Sequence, residues 1–205
     1  MRITPAPPLR TGDRVACVAA SSALQDDIKL QEGIAVLQSW GLDVQPQTLA
    51  SRRWGYFAGR DDTRHADLHP AEPAALLACA RGGWGAARLL EQPIRWQSGW
   101  LLGFSDVTAL LWARQVAGFA GGIHGPLLTT LAEEPQWSRD RLRNLLFGNT
   151  VPDLQGRGGG GGVGGVPRRS CCAVVTWQVD DPMLRDAAMT TDAGEGTVSL
   201  SLIHI

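Results

Sequence analysis

The sequence is short of cysteine, net charge and long apolar runs, and each shortage excludes something. Four cysteines in 205 residues, without regular spacing, do not build a disulfide framework. Cys17 and Cys79 each sit inside an apolar run, the setting of a reduced core residue. With 19 Lys+Arg against 20 Asp+Glu the net charge is −1, so there is no electrostatic basis for binding nucleic acid or an anionic membrane. Nowhere do about 18 apolar residues follow one another, so no transmembrane helix is expected. The first residues, MRITPAPPLRTGDRV, hold no apolar signal-peptide core. No group of His, Cys, Asp and Glu has metal-ligand spacing, and neither a metal nor a cofactor is expected. A soluble, cytoplasmic protein is the expectation these exclusions leave.

What is present is enough apolar material for a core, 44% of residues, arranged in alternating segments over the first ~150 positions, a usual domain size. Strand-like runs are expected at 14–20 (RVACVAA), 42–44, 76–80, 100–104 and 121–123. Helical spacing is expected at 28–40, 61–68, 106–116 and 137–147, with Gly41 and Gly148 placed as C-caps. Ser21 and Ser22 suit a helix N-cap. Strands separated by helices need crossovers, which implies an α/β fold, doubly wound around a mostly parallel sheet. Residues 1–153 form this domain. Residues 154–205 open with GRGGGGGVGGVPRRSCC, show no periodicity, and read as a Gly-rich linker and a disordered tail.

Two stretches carry candidate chemistry. In WLLGFSDVTALL, Ser105 stands where a buried strand turns into a helix. A serine on so tight a turn projects its hydroxyl outward, and the next amide lies at a helix N-terminus that favours developing negative charge. Ser105 is therefore either a nucleophile or an N-cap bonding the amide of Thr108. In RGGWGAARLL the order strand, glycines, helix can cradle an anion on the amides of Gly82 and Gly83, or can be a plain tight turn. His124, in IHGP, is a base or a structural histidine. Trp84, between glycines, can line a pocket.

Four segments together resemble, in order, the LD-carboxypeptidase family of serine peptidases, which includes muramoyltetrapeptide carboxypeptidases and microcin-immunity peptidases. LRTGDRVACVAASS resembles the family's opening strand and Ser-rich turn, with AASS where Ala-Pro-Ser-Ser is usual. RWGYFAGRDDTRHADL is similar to its Gly-Tyr-x-Ala-Gly-x-Asp-x-x-Arg segment, ARGGWGAARLL to its Arg-Gly-Gly-Tyr-Gly loop, and LLGFSDVTALL to its Gly-Tyr-Ser-Asp elbow, before IHGP. The resemblance spans about residues 9 to 130. It implies that Ser105 is the nucleophile, that the amides of Asp106 and Gly83 form the oxyanion hole, and that Arg81, Gly82 and Trp84 line the substrate pocket. The implied substrate is a small peptide, a murein tetrapeptide losing its terminal D-alanine in cell-wall recycling, or a peptide–nucleotide antibiotic in the immunity branch. A domain that only binds a small anion is the non-catalytic alternative. The implied full-length form is a homodimer.

The family's triad is Ser-Glu-His, with Glu and His in a C-terminal domain that residues 154–205 do not resemble. Glu195 and His204 lack matching context and receive no role. PRRSCCAVVTWQ can be back-translated so that a shifted frame reads Ala-Glu-Val-Leu-Leu-Arg-Gly-Gly-Asn-Leu-Ala, and LSLIHI matches one frame of a transposon mosaic end. The expectation is a frameshift near the Gly158–Gly162 run, a non-native tail in place of the catalytic domain, and little peptidase activity in this chain.

Overall fold

The computed structural model describes residues 4–151 and the backbone of Val175–Thr176; the expectations for the rest of 154–205 lie outside the described residues. Five parallel strands form the sheet: β1 Arg14–Val18, β2 Asp43–Val44, β3 Leu76–Cys79, β4 Trp100–Gly103 and β5 Gly122–His124, in the order β2-β1-β3-β4-β5. Val175–Thr176 (β6) pairs antiparallel to β5 at one edge. The helices are α1 Ile28–Ser39, α2 Asp61–Ala66, α3 Thr108–Val116, α4 Leu128–Leu131 and α5 Gln136–Leu146. No helix among the described residues is long and apolar enough to cross a membrane.

The strands are short, and the central β3 and β4 are apolar throughout, because both sheet faces are covered there. Alternation splits their side chains between two cores. Leu76, Ala78, Leu102 and Ile123 meet Leu30, Ile34 and Leu37 of α1 with Leu128, Leu142 and Leu146. Leu77, Cys79 and Leu101 meet Val107, Leu110 and Leu111 on the opposite face. The doubly wound α/β reading therefore holds. Gly33 interrupts α1 for a packing reason: a Cβ there would lie 1.9 Å from the carbonyl oxygen of Leu128, so α1 and α4 touch backbone to backbone.

Three details depart from the sequence reading. Ser21 and Ser22 start no helix; α1 begins at Ile28 after Asp27, and Ser22 bonds the glycine loop of the site instead. Two short helical turns were not expected: the 3-10 turn Ala87–Glu91 and α4, both too brief to show helical periodicity. Arg114 of α3 is buried, with Nη2 donating to the Gln97 carbonyl at 3.0 Å and the Gly99 carbonyl at 2.6 Å, and Nη1 to that of Ala120. Burial pulls its pKa down to about 10, so it still carries its charge at neutral pH, held by carbonyl dipoles rather than by an acid.

Cys17 and Cys79 are unbridged thiols, as expected. Burial, reinforced by the charge of Asp67, pushes Cys17 up to about 12 and Cys79 higher still. At pH 8 Cys17 is then thiolate in only about one molecule in 10⁴, and the thiolate is the reacting species. Both are expected to resist iodoacetamide in the native protein and to react fully in denaturant, as read by peptide mapping. Alkylation of either at native pH 8 within minutes would overturn this assignment.

Candidate active site

The loops that leave β1, β3, β4 and β5 gather beyond the carboxyl ends of the strands. In this strand order the chain leaves β1 toward β2 on one side, while β3 lies on the other, opening the crevice where ligands bind in such sheets. Ser22 comes from the β1 loop, Gly82–Gly85 from the β3 loop, Ser105 from the end of β4, and His124 ends β5.

Ser105 has φ +61°, and it is the one non-glycine with positive φ among the described residues. An L-residue in that region costs about 1–2 kcal/mol, so its surroundings must enforce it. Gly103, just before, is so tightly packed that a Cβ would lie 2.8 Å from Val107 Cγ1 and 3.0 Å from Cys79 Cβ. The chain has no room to continue straight and turns sharply into the 3-10 turn Ser105–Val107 that leads into α3. Ser105 is exposed. Among the described residues no hydrogen bond engages its Oγ, and the amide of Thr108 bonds the carbonyls of Ser105 and Asp106 instead. The N-cap reading is thereby corrected: a short 3-10 turn satisfies that amide before a side chain can.

The glycine loop runs against this serine. A Cβ on Gly82 would sit 3.0 Å from Ser105 Cβ and 3.3 Å from its Oγ. Gly83, at φ +118°, would place one 2.2 Å from Ser22 Oγ. Two side chains hold the loop in this path. Ser22 Oγ accepts from the Trp84 amide at 3.1 Å, and the Ser22 amide donates to the Gly82 carbonyl at 3.4 Å. Asp106 Oδ2 accepts from the Ala86 amide at 2.8 Å. The loop is thus a tight turn, pinned at both ends, with the glycines that close approach requires. The leading amides of a helical turn have no carbonyl partner within it, so the amide of Asp106 and the glycine amides are the kind of donors that stabilise an oxyanion.

The remaining candidates are spread around this centre. Arg81 Nη1 donates to the Ala23 carbonyl at 2.8 Å, tying the β3 loop to the β1 loop. Trp84 is 73% exposed and stands at the rim. The rings of His124 and Phe104 meet edge to face, centroids 6.1 Å apart.

Sequence reasoning gave Ser22 only an N-cap role, and gave none to the carboxylate of Asp106 or to Arg64. Arg64 is fully buried: Nη1 donates to the carbonyls of Ala20 and of Gly85, the latter at 2.9 Å, Nη2 to Asp61, and the guanidinium stacks 4.7 Å from the Phe57 centroid. Asp61 also accepts from Arg88 Nη2 at 2.6 Å. Burial by itself would raise Asp61, but the hydrogen bonds and charges of Arg64 and Arg88 outweigh it and hold the carboxyl below its ordinary range. Asp61 and Arg64 were visible as the Asp-x-x-Arg of the quoted segment; only the fold shows that they clamp the glycine loop.

Residues 15–125 match the family described as the LD-carboxypeptidase N-terminal domain. A Synechocystis protein named a carboxypeptidase is 43% identical over 73% of this chain and 51% of its own length. The murein tetrapeptide carboxypeptidase of Pseudomonas aeruginosa is 32% identical over 64% of this chain and 46% of its own. Of solved structures, the microcin C7 self-immunity protein MccF with aspartyl sulfamoyl adenosine shares the fold at TM-score 0.59 and 19% identity, over 69% of this chain and 46% of that one. The chain spans about half the length of these relatives.

Proposed function

The chain belongs to the LD-carboxypeptidase family, and from that premise we propose that it is the part of a serine carboxypeptidase that carries the nucleophile, acting on the L,D-amide of murein tetrapeptides to release D-alanine. The observation that carries the reading is Ser105, left-handed, exposed and packed against Gly82. Its Oγ attacks the amide carbonyl, and the oxyanion that forms is met by the amides of Asp106 and Gly83. Collapse breaks the C–N bond, the amine leaves with a proton, and water then hydrolyses the acyl-enzyme. The proton acceptor and its orienting carboxylate are the histidine and glutamate of the family's C-terminal domain. Each oxyanion donor is worth roughly 3–4 kcal/mol of barrier, by comparison with other serine hydrolases. The murein substrate is favoured by the Pseudomonas relative's name. The MccF likeness keeps a second reading, hydrolysis of an aminoacyl nucleotide antibiotic, in play.

The test is D-alanine release from a murein tetrapeptide by the protein carrying that C-terminal domain, with residues 1–205 assayed alongside. Release at a rate well above the uncatalysed reaction is expected. No release, with hydrolysis of aspartyl sulfamoyl adenosine instead, would move the protein to the immunity branch. Inertness toward both would reduce the site to binding.

A further inference from the structure

Gly82, Gly83 and Gly85 make the β3 loop intrinsically loose, since glycine gives up more backbone freedom on folding than any other residue. Gly83 and Gly85 both take positive φ, +118° and +108°. A donor amide on such a loop aims at one point only if the loop is tied from outside. Ser22 ties it to the β1 loop through the Trp84 amide, and Arg64 of α2 ties it through the Gly85 carbonyl at 2.9 Å. Both ties run to segments that precede the loop, and neither reaches the turn that carries Ser105.

The packing of Gly82 on Ser105, where a Cβ would sit 3.0 Å from the serine's Cβ, limits how near the loop can come. It does not stop the loop from drawing away. Among the described residues one hydrogen bond joins the loop to the Ser105–Val107 turn: Asp106 Oδ2 accepts from the Ala86 amide at 2.8 Å, across 20 residues of sequence. Ala86 is fully buried and directly precedes the 3-10 turn Ala87–Glu91, whose leading amides have no carbonyl partner within the turn. A bond from a backbone amide to a carboxylate is roughly twice as strong as a neutral one, and withdrawing the acceptor leaves a buried donor unpaired.

We infer that the side chain of Asp106 is a positioning residue for the reaction: it braces the glycine loop against the elbow, so that the Gly83 amide and its own backbone amide converge on one oxyanion. The inference rests on the hydrolase reading for that oxyanion, and adds to it a carboxylate that touches no substrate. Both donors then depend on one residue, the Asp106 amide directly and the Gly83 amide through the loop that ends at Ala86. Misplacing a positioned group by about 1 Å costs on the order of 10²-fold in rate. The loss falls on the transition state, where the oxyanion exists, and spares substrate binding.

The test compares wild type, Asp106→Ala and Asp106→Asn in the protein carrying the C-terminal domain. Three quantities are read: D-alanine release in the steady state, the rate of fluorophosphonate labelling at Ser105, and amide hydrogen exchange across residues 82–86. Asp106→Ala is expected to lower kcat about 30- to 100-fold with KM within about twofold, and to slow labelling in parallel. Exchange across 82–86 should quicken by about tenfold or more. Asparagine still offers an oxygen to the Ala86 amide, so Asp106→Asn is expected to recover about a third or more of wild-type kcat and most of the protection. Thermal melts run beside the assays restrict the comparison to folded protein.

An unchanged kcat and labelling rate in folded Asp106→Ala overturns the brace, and so does a loss carried by KM alone. Equal losses in the alanine and asparagine variants overturn it too, because the brace requires the bond and not the charge. Faster exchange with undiminished kcat also overturns it, reducing the bond to a prop of the fold. Failure of the hydrolase reading looks different. A wild type that takes no label removes the oxyanion and overturns both proposals together. Labelling of wild type without D-alanine release overturns the murein substrate alone, and the labelling rates of the variants then decide the brace.

Discussion

Ser105→Ala is expected to abolish both the fluorophosphonate adduct and D-alanine release, a rate loss of about 10⁴–10⁶-fold, the range set by removing nucleophiles from other serine hydrolases. The same position makes a second, opposite prediction about stability. Ser105 is held at φ +61°, where alanine is as strained as serine and glycine is not. Ser105→Gly is therefore expected to be inert but about 1 kcal/mol more stable than Ser105→Ala, by urea midpoint at unchanged slope. An elbow kept for chemistry should show this trade; a serine kept for folding should not. Residual labelling in Ser105→Ala would place the reactive hydroxyl elsewhere. Equal midpoints for Ala and Gly would mean that the left-handed turn relaxes freely and is not enforced by Gly103 and Val107.

The same contrast between local and long-range determinants explains what could be read in advance. The parallel sheet was legible because its strands are contiguous apolar runs such as Leu76–Cys79, and its longer helices because Leu30, Ile34 and Leu37 repeat at helical spacing and face one core. Alternation of the two kinds of segment is itself a topology. The short 3-10 turn Ala87–Glu91 and the four-residue α4 carry too few residues to show a period, and tertiary contact makes them. In the site, the Ser105 turn was legible as a break from strand to helix, and the glycine loop as a composition. Their mutual position was not. That Gly82 passes under Ser105, that Ser22 rather than a helix claims the Trp84 amide, and that Asp106 reaches back to Ala86 are contacts across 20 to 62 residues of sequence. Residue pattern within one segment carries no information about such partners. Family order supplied the grouping, and geometry supplied the reasons.

Arg64→Met is expected to cost about 3 kcal/mol of stability and, in molecules that remain folded, to slow labelling of Ser105. The guanidinium bonds the carbonyls of Ala20, at the end of the β1 segment, and of Gly85, in the glycine loop, and no water reaches it. Methionine fills much of the volume but leaves two buried acceptors unpaired, at about 1–3 kcal/mol each. Asp61 adds less than a fully buried acid would, because it is partly exposed and keeps Arg88. Lysine preserves the charge but presents no fork, so Arg64→Lys should recover less than half of the loss. Acid acts on the same joint. The Asp61 carboxyl is held below its ordinary range, so its contribution is complete above the unfolded value of about 3.9. It is lost as pH falls through the lower, folded value. Wild type should therefore lose stability more steeply than Asp61→Asn below about pH 4, the unfolded carboxyl value. The labelling rate distinguishes a clamp on the site from a core residue: a lower midpoint with unchanged labelling in the folded fraction would make Arg64 structural only. If both fall together, and labelling in Arg64→Lys recovers further than its midpoint does, the glycine loop is held in its working shape from behind by this one buried charge.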